Sequence, residues 1–261
     1  MNSPLLNDIP VYILASLVFI LILLFHWLVQ RLKFFLSRKV PDLHEKGSGL
    51  TIASILGVLS ILMGFTFSIT LSKFENRREL IVQEANDIGT AILRCDLYPD
   101  SIRDPLMADF KQYVESRIAY YDAGENEEKI QEELKKAAVI SGRIWKRVAV
   151  ASQDSRFIVR SNQMIPILND MIDIVTTREA ARISMVPRLI LWTLLLLVLA
   201  SAGLMGSDNA SRIKNRILLV GYAIVMTLTL NLILELDRPR QGMINNDQVE
   251  QKIEALREML P

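Results

Sequence analysis

The residues best placed to do chemistry lie on one predicted helix. Between positions 57 and 72 small side chains recur every third or fourth residue, at Gly57, Ser60, Gly64, Ser68 and Ser72. That pattern lets helices approach closely inside a bilayer. The same turns carry Ile61, Phe65 and Ile69, which are bulky, uncharged and four apart, while Thr66 and Thr70 supply hydroxyls. Two arrangements fit these residues. The apolar side chains can face lipid while the small face packs on a neighbouring span, or copies of the helix can surround an axis where a ring of apolar side chains gates ions by dewetting.

Two charged clusters flank the apolar stretches. In FENRRE, Glu75 can reach Arg78 at i+3, with Arg77 between them and Glu79 one turn on. Exposed pairs at this spacing contribute under ~0.5 kcal/mol each, so the cluster reads first as a salt-bridged membrane edge. The alternative is an electrostatic vestibule that concentrates anions beside a pore mouth. In ELDRPRQGM, Glu235, Asp237, Arg238 and Arg240 stand where the last apolar run ends, with Pro239 and Gly242 stopping the helix. Asp237 is expected to hold Arg77 or Arg78 in a clasp at the membrane surface.

Covalent and metal chemistry find little to work with. His26 and His44 are the only histidines and Cys95 the only cysteine, and the chain has no Walker loop, HExxH or GxSxG. His26 and His44 read as interface or surface residues and Cys95 as a small buried apolar side chain. No catalytic residue, metal site or cofactor is expected.

The elements that must position these residues follow from how charge is segregated. The chain has 261 residues, of which 51% are hydrophobic and 23% charged, and its mean hydropathy is +0.27. Uncharged runs near 9–30, 48–72, 189–206 and 217–234 hold much of the apolar excess. Each is close to the roughly 20 residues that cross the hydrocarbon as a helix. The fold class expected is an all-α membrane protein with four spans in two hairpins. A water-facing helical domain over 73–186 would separate the hairpins 1–72 and 187–236, and a C-terminal motif with a polar, helical tail would fill 237–261.

Thirty basic against twenty-nine acidic side chains leave no basic excess to attract nucleic acid. Residues 1–8 carry no Lys or Arg and the first run is long for a cleaved signal, so it reads as a retained span. It ends in RLKFFLSRKVPDLHEKG, where Trp27, Phe34 and Phe35 suit a membrane interface and Pro41 and Gly47 break the helix. The second run passes into KFENRRELIVQEANDIGTAILR with no Gly or Pro at the junction, and Ile81, Ala85, Ile88 and Ile92 keep helical spacing. One helix is therefore expected from Leu50 to Leu97. Further helices are expected near 101–122, 126–150 and 154–185, with a turn at DAGEN (122–126) and a kink or late start at Pro166.

LSKFENRRELIVQEANDIGTAILR, LNDMID and ELDRPRQGMI, in that order between paired hairpins, resemble the bestrophin-like family of bacterial membrane proteins, over roughly residues 10–245. More distantly the chain resembles the bestrophins, which are pentameric chloride channels. In those the second helix lines the pore, forms a neck of bulky apolar residues four apart and continues into a cytosolic helical domain. Gly64, Phe65, Lys73 and Phe74 match the anchor of that neck, which puts Phe65 and Ile61 on neck positions. Gly57 takes the third and departs from the pattern. The acidic cluster that binds calcium in animal bestrophins is missing here, since only Glu235 and Asp237 follow the fourth span.

The resemblance implies a homo-oligomeric channel, pentameric by analogy, in the bacterial inner membrane. Small inorganic anions would be its permeant partners, the bilayer its solvent, and the middle domain and both termini would be cytosolic, with no calcium gating. Lys and Arg near the span ends fall evenly on the two faces, so the orientation rests on the resemblance. The constriction is expected at Ile61, Phe65 and Ile69, and helix packing at Gly57, Ser60, Gly64 and Ser68. The competing class is a membrane-anchored helical interaction or signalling protein without a conducting pore, and an enzyme acting on lipid is a distant third.

Overall fold

A computed structural model describes residues 10–37, 48–205, 212–238, 244 and 247–261. Expectations for His44, Pro41, Gly47, Pro239, Arg240 and Gly242, and for most of the two short connections, lie outside the described residues. The described residues form helices joined by short turns, with no strand among them. The helices are α1 (Val11–Ser37), α2 (Ser48–Cys95), α3 (Asp100–Asp122), α4 (Glu127–Ala151), α5 (Ile158–Ile183), α6 (Arg188–Leu204), α7 (Arg212–Asp237) and α8 (Asp247–Glu254). Short 3-10 turns occupy Ser155–Phe157 and Ala255–Met259.

Four of these helices are long and apolar enough to cross a membrane, as the hydropathy pattern predicts. α1 overruns its expected end near Val29, because nothing in RLKFFLS breaks a helix. α2 passes Ser72 unbroken, and its 48 residues span roughly 70 Å at 1.5 Å per residue. α5 starts after the short 3-10 turn and runs through Pro166. The burial of Met164, Ile167, Leu168 and Met171 favours helix strongly enough to outweigh the roughly 3 kcal/mol that an interior proline costs.

The chain divides into two compact units, Met1–Lys73 with Met185–Ile244, and Phe74–Ser184 with Asn245–Pro261. In the first, α1 packs on α6 and α7. α2 joins the shared apolar core through Leu59 and Met63, against Ile22, Leu194, Val198, Leu219, Ala223 and Leu230. Gly203 permits the close approach of α1 to α6, since a Cβ there would lie 3.1 Å from Phe25 and 3.2 Å from Val29. Polar groups finish the contact. The ring Nδ1–H of His26 donates to the Ala202 carbonyl at 2.7 Å, and Gln30 Nε2 donates to the Met205 carbonyl at 3.1 Å. These are carbonyls at the end of α6, where the helix supplies no partner of its own.

In the second unit α3 and α4 form a hairpin whose turn is Gly124, at φ +54°, a conformation that glycine adopts without steric cost. Asn126 caps α4 by accepting the Lys129 amide at 3.1 Å, which contributes about 1 kcal/mol. The core gathers Ile81, Ile88 and Ile92 of α2 with side chains of α3, α4 and α5. The C-terminal segment belongs to this core rather than standing apart as a polar tail, because Val249, Ile253 and Leu256 are buried in it.

Candidate functional site

The membrane half of α2 has one covered face and one open one. Leu59, Met63, Thr66 and Thr70 are buried within the chain. At about 100° per residue these four fall within one narrow arc. The opposite side carries Gly57, Ser60, Ile61, Gly64, Phe65, Ser68, Ile69 and Ser72, all exposed. Ile61 is 61% exposed and Phe65 65%, and a Cβ added at Gly57 or Gly64 would meet nothing within 4 Å. The small stripe and the bulky residues thus share one broad face that this chain leaves uncovered. The two threonines satisfy themselves, Thr66 donating to the Leu62 carbonyl at 2.7 Å and Thr70 to that of Phe67 at 2.9 Å.

Glu75, Arg78 and Glu79 are exposed and Arg77 is buried. Arg78 stands over the Phe74 ring, 5.7 Å from its centroid. Asp237, at the end of α7, is buried, and both carboxylate oxygens accept the Val186 backbone N–H, at 2.9 and 3.2 Å. Arg238 follows it, half-buried.

A third cluster went unnoticed in the sequence. Glu84 of α2 lies fully buried in the second unit. Arg117 donates Nε to its Oε1 at 2.5 Å, Tyr121 donates its hydroxyl to Oε2 at 3.2 Å, and Arg178 pairs with Oε2. Burial alone would raise the Glu84 pKa, but the two guanidiniums outweigh it and hold the carboxyl below its ordinary range. The signal was available, since Glu84 sits on the face defined by Ile81, Ala85 and Ile88, where a lone charge has to find a partner. Three residues on, Asp87 is pushed up by its burial and by the nearby charges of Asp170 and Glu84. Cys95 is buried, with its thiol raised to about 12, chiefly by desolvation. Among the described residues no group of three or more His, Cys, Asp or Glu could hold a metal ion.

An all-helical fold with four helices long and apolar enough to cross a membrane defines an integral membrane protein. Its relatives say which kind. The domain model described as Bestrophin-like matches residues 11–245, and the chain belongs to the bestrophin-like family. The crystal structure of a bacterial bestrophin homologue from Klebsiella pneumoniae superposes with a TM-score of 0.67 at 12% identity, covering 94% of this chain and 99% of that one. A point mutant of the same homologue gives 0.66 at 14% identity, covering 92% and 99%. At such identities the likeness is one of fold. No curated relative matches the sequence.

Proposed function

We propose that the chain is the subunit of a homo-oligomeric, anion-conducting channel of the bestrophin type, in which copies of α2 surround the pore. The observation that carries this reading is the open face of α2. A surface turned only to lipid gains nothing from Ser60, Ser68 and Ser72 or from openings at Gly57 and Gly64. A ring of helices uses small residues to bring copies together and large apolar ones to narrow the axis. Ile61 and Phe65, with Ile69 one turn on, form the constriction, and Gly57 leaves its outer end wide.

On this reading the subunits number five, as in the bestrophins, and the second unit and both termini face the cytosol of a bacterium. Lys73, Arg77 and Arg78, beside Glu75 and Glu79, then edge the inner mouth. Purified protein reconstituted in liposomes should pass current, and Phe65→Ala should raise its conductance by lowering the dewetting barrier. Absence of current with and without the substitution overturns the reading. Arg38→Cys should be labelled from outside intact cells and Asn126→Cys should not; the reverse result inverts the topology.

A further inference from the structure

The second unit holds a cationic groove that none of the preceding chemistry uses. Asp109 of α3 is almost completely buried; it accepts Arg147 Nε of α4 at 2.6 Å and forms an ion pair with Arg143 of the same helix, whose Nε lies 2.9 Å from the other carboxylate oxygen. The arginines lie one turn apart, so one carboxylate holds both in register. Arg143 is tied further by Nη2, which donates to Gln112 Oε1 at 2.7 Å. The Nη groups of Arg147 and the Lys146 ammonium have no partner among the described residues. Three cations against one buried anion leave a net charge of two. They border an open groove of about 440 Å³ whose other walls include Ser101, Ile102, Pro105 and Val150.

We propose that this groove binds a phosphoryl group. Asp109 takes up Nε of each arginine and Gln112 takes up Nη2 of Arg143, which leaves both Nη groups of Arg147 and Nη1 of Arg143, on half-exposed side chains, to meet phosphate oxygens. Because the buried carboxylate orients the side chains in advance, little further ordering is needed when the ligand arrives. Lys146 adds a point charge, Ser101 a hydroxyl at the rim, and Ile102, Pro105 and Val150 an apolar wall for whatever carries the phosphate. Two sources share this chemistry, a soluble phosphate compound and a phosphomonoester lipid headgroup.

The full-length protein in detergent is titrated with inorganic pyrophosphate by calorimetry. In parallel, its binding of phosphatidic acid is measured in nanodiscs against a phosphatidylcholine background. Saturable binding in either arm supports the site and names the source. Arg147→Gln and Lys146→Gln should each weaken that binding at least about tenfold, while Lys135→Gln, the same charge change elsewhere on α4, should leave it within about twofold. Binding in neither arm overturns the proposal. So does an equal loss in all three variants, which marks nonspecific attraction to a basic surface.

Discussion

Arg117 and Glu84 meet at 2.5 Å in the centre of the second unit, with both side chains shut off from solvent. The pair joins α3 to α2, and Arg178 of α5 completes it from a third helix. Removing Glu84 leaves two buried guanidiniums without their counter-charge, a loss of about 3–5 kcal/mol in comparable cases, whereas removing Arg117 leaves Glu84 paired with Arg178 and costs less. Glu84→Gln should lower the unfolding midpoint by many degrees and Arg117→Met by fewer. The double variant should recover part of the Glu84→Gln loss, because it leaves one buried guanidinium, that of Arg178, unpaired instead of two. A double variant less stable than both singles would mean that the pair acts through shape rather than charge.

The same cluster sets a pH dependence with two opposed parts. Asp87 has a raised pKa in the folded state, so its ionised form costs stability near neutrality. That cost is relieved as pH falls through the folded value and is absent below the unfolded value near 3.8. Glu84 runs the other way. Its pKa is lowered, so its contribution is present above the ordinary value near 4.5 and is lost as pH falls through the folded value. Asp87→Asn should therefore melt above the parent protein at pH 7, with the gap closing on acidification, in melting curves collected across that range. A gap that widens in acid would reverse the assignment.

Gly89 of α2 lies against the C-terminal segment. A Cβ at Gly89 would lie 3.3 Å from Leu256 Cδ2 and 3.7 Å from Met259 Sδ. Arg257 adds paired bonds to Glu115 at 2.7 Å, but in water, where such pairs contribute at most ~1 kcal/mol. Docking thus rests on the apolar contacts. Gly89→Leu should displace the segment and expose residues 247–261 to limited proteolysis, while Arg257→Gln should barely alter cleavage. Equal sensitivity of both variants would shift the weight to the ion pair.

The parts of the fold legible in sequence were those with strong local signals. The apolar runs predicted α1, α2, α6 and α7, and the absence of breakers after Ser72 predicted that α2 continues. Pro166 does not mark the start of α5, because a proline's local cost competes with tertiary burial that a sequence alone does not display. The C-terminal segment looked merely polar, since Val249, Ile253 and Leu256 are too few to stand out until α2 and α3 supply the surface they cover. Similarly, the stripe on α2 could be read from spacing alone, but not which side the chain itself leaves open. That depends on Leu59, Met63, Thr66 and Thr70 being the residues buried.

Asp237 supplies the last prediction. Its carboxylate accepts the Val186 amide in the stretch between α5 and α6, just before Pro187 ends any chance of a helical partner there. A buried backbone N–H needs an acceptor, and a carboxylate makes a stronger one than an amide oxygen. Asp237→Asn keeps the shape and one acceptor oxygen but gives up the charge-assisted part, so a loss of about 1 kcal/mol is expected. Asp237→Ala removes the acceptor and should cost about 1–3 kcal/mol. Thermal unfolding in one detergent, followed at α-helical wavelengths, ranks the three proteins. If Asp237→Ala melts with the parent protein, the Val186 amide has another acceptor and Asp237 does not tie α7 to the entry of α6.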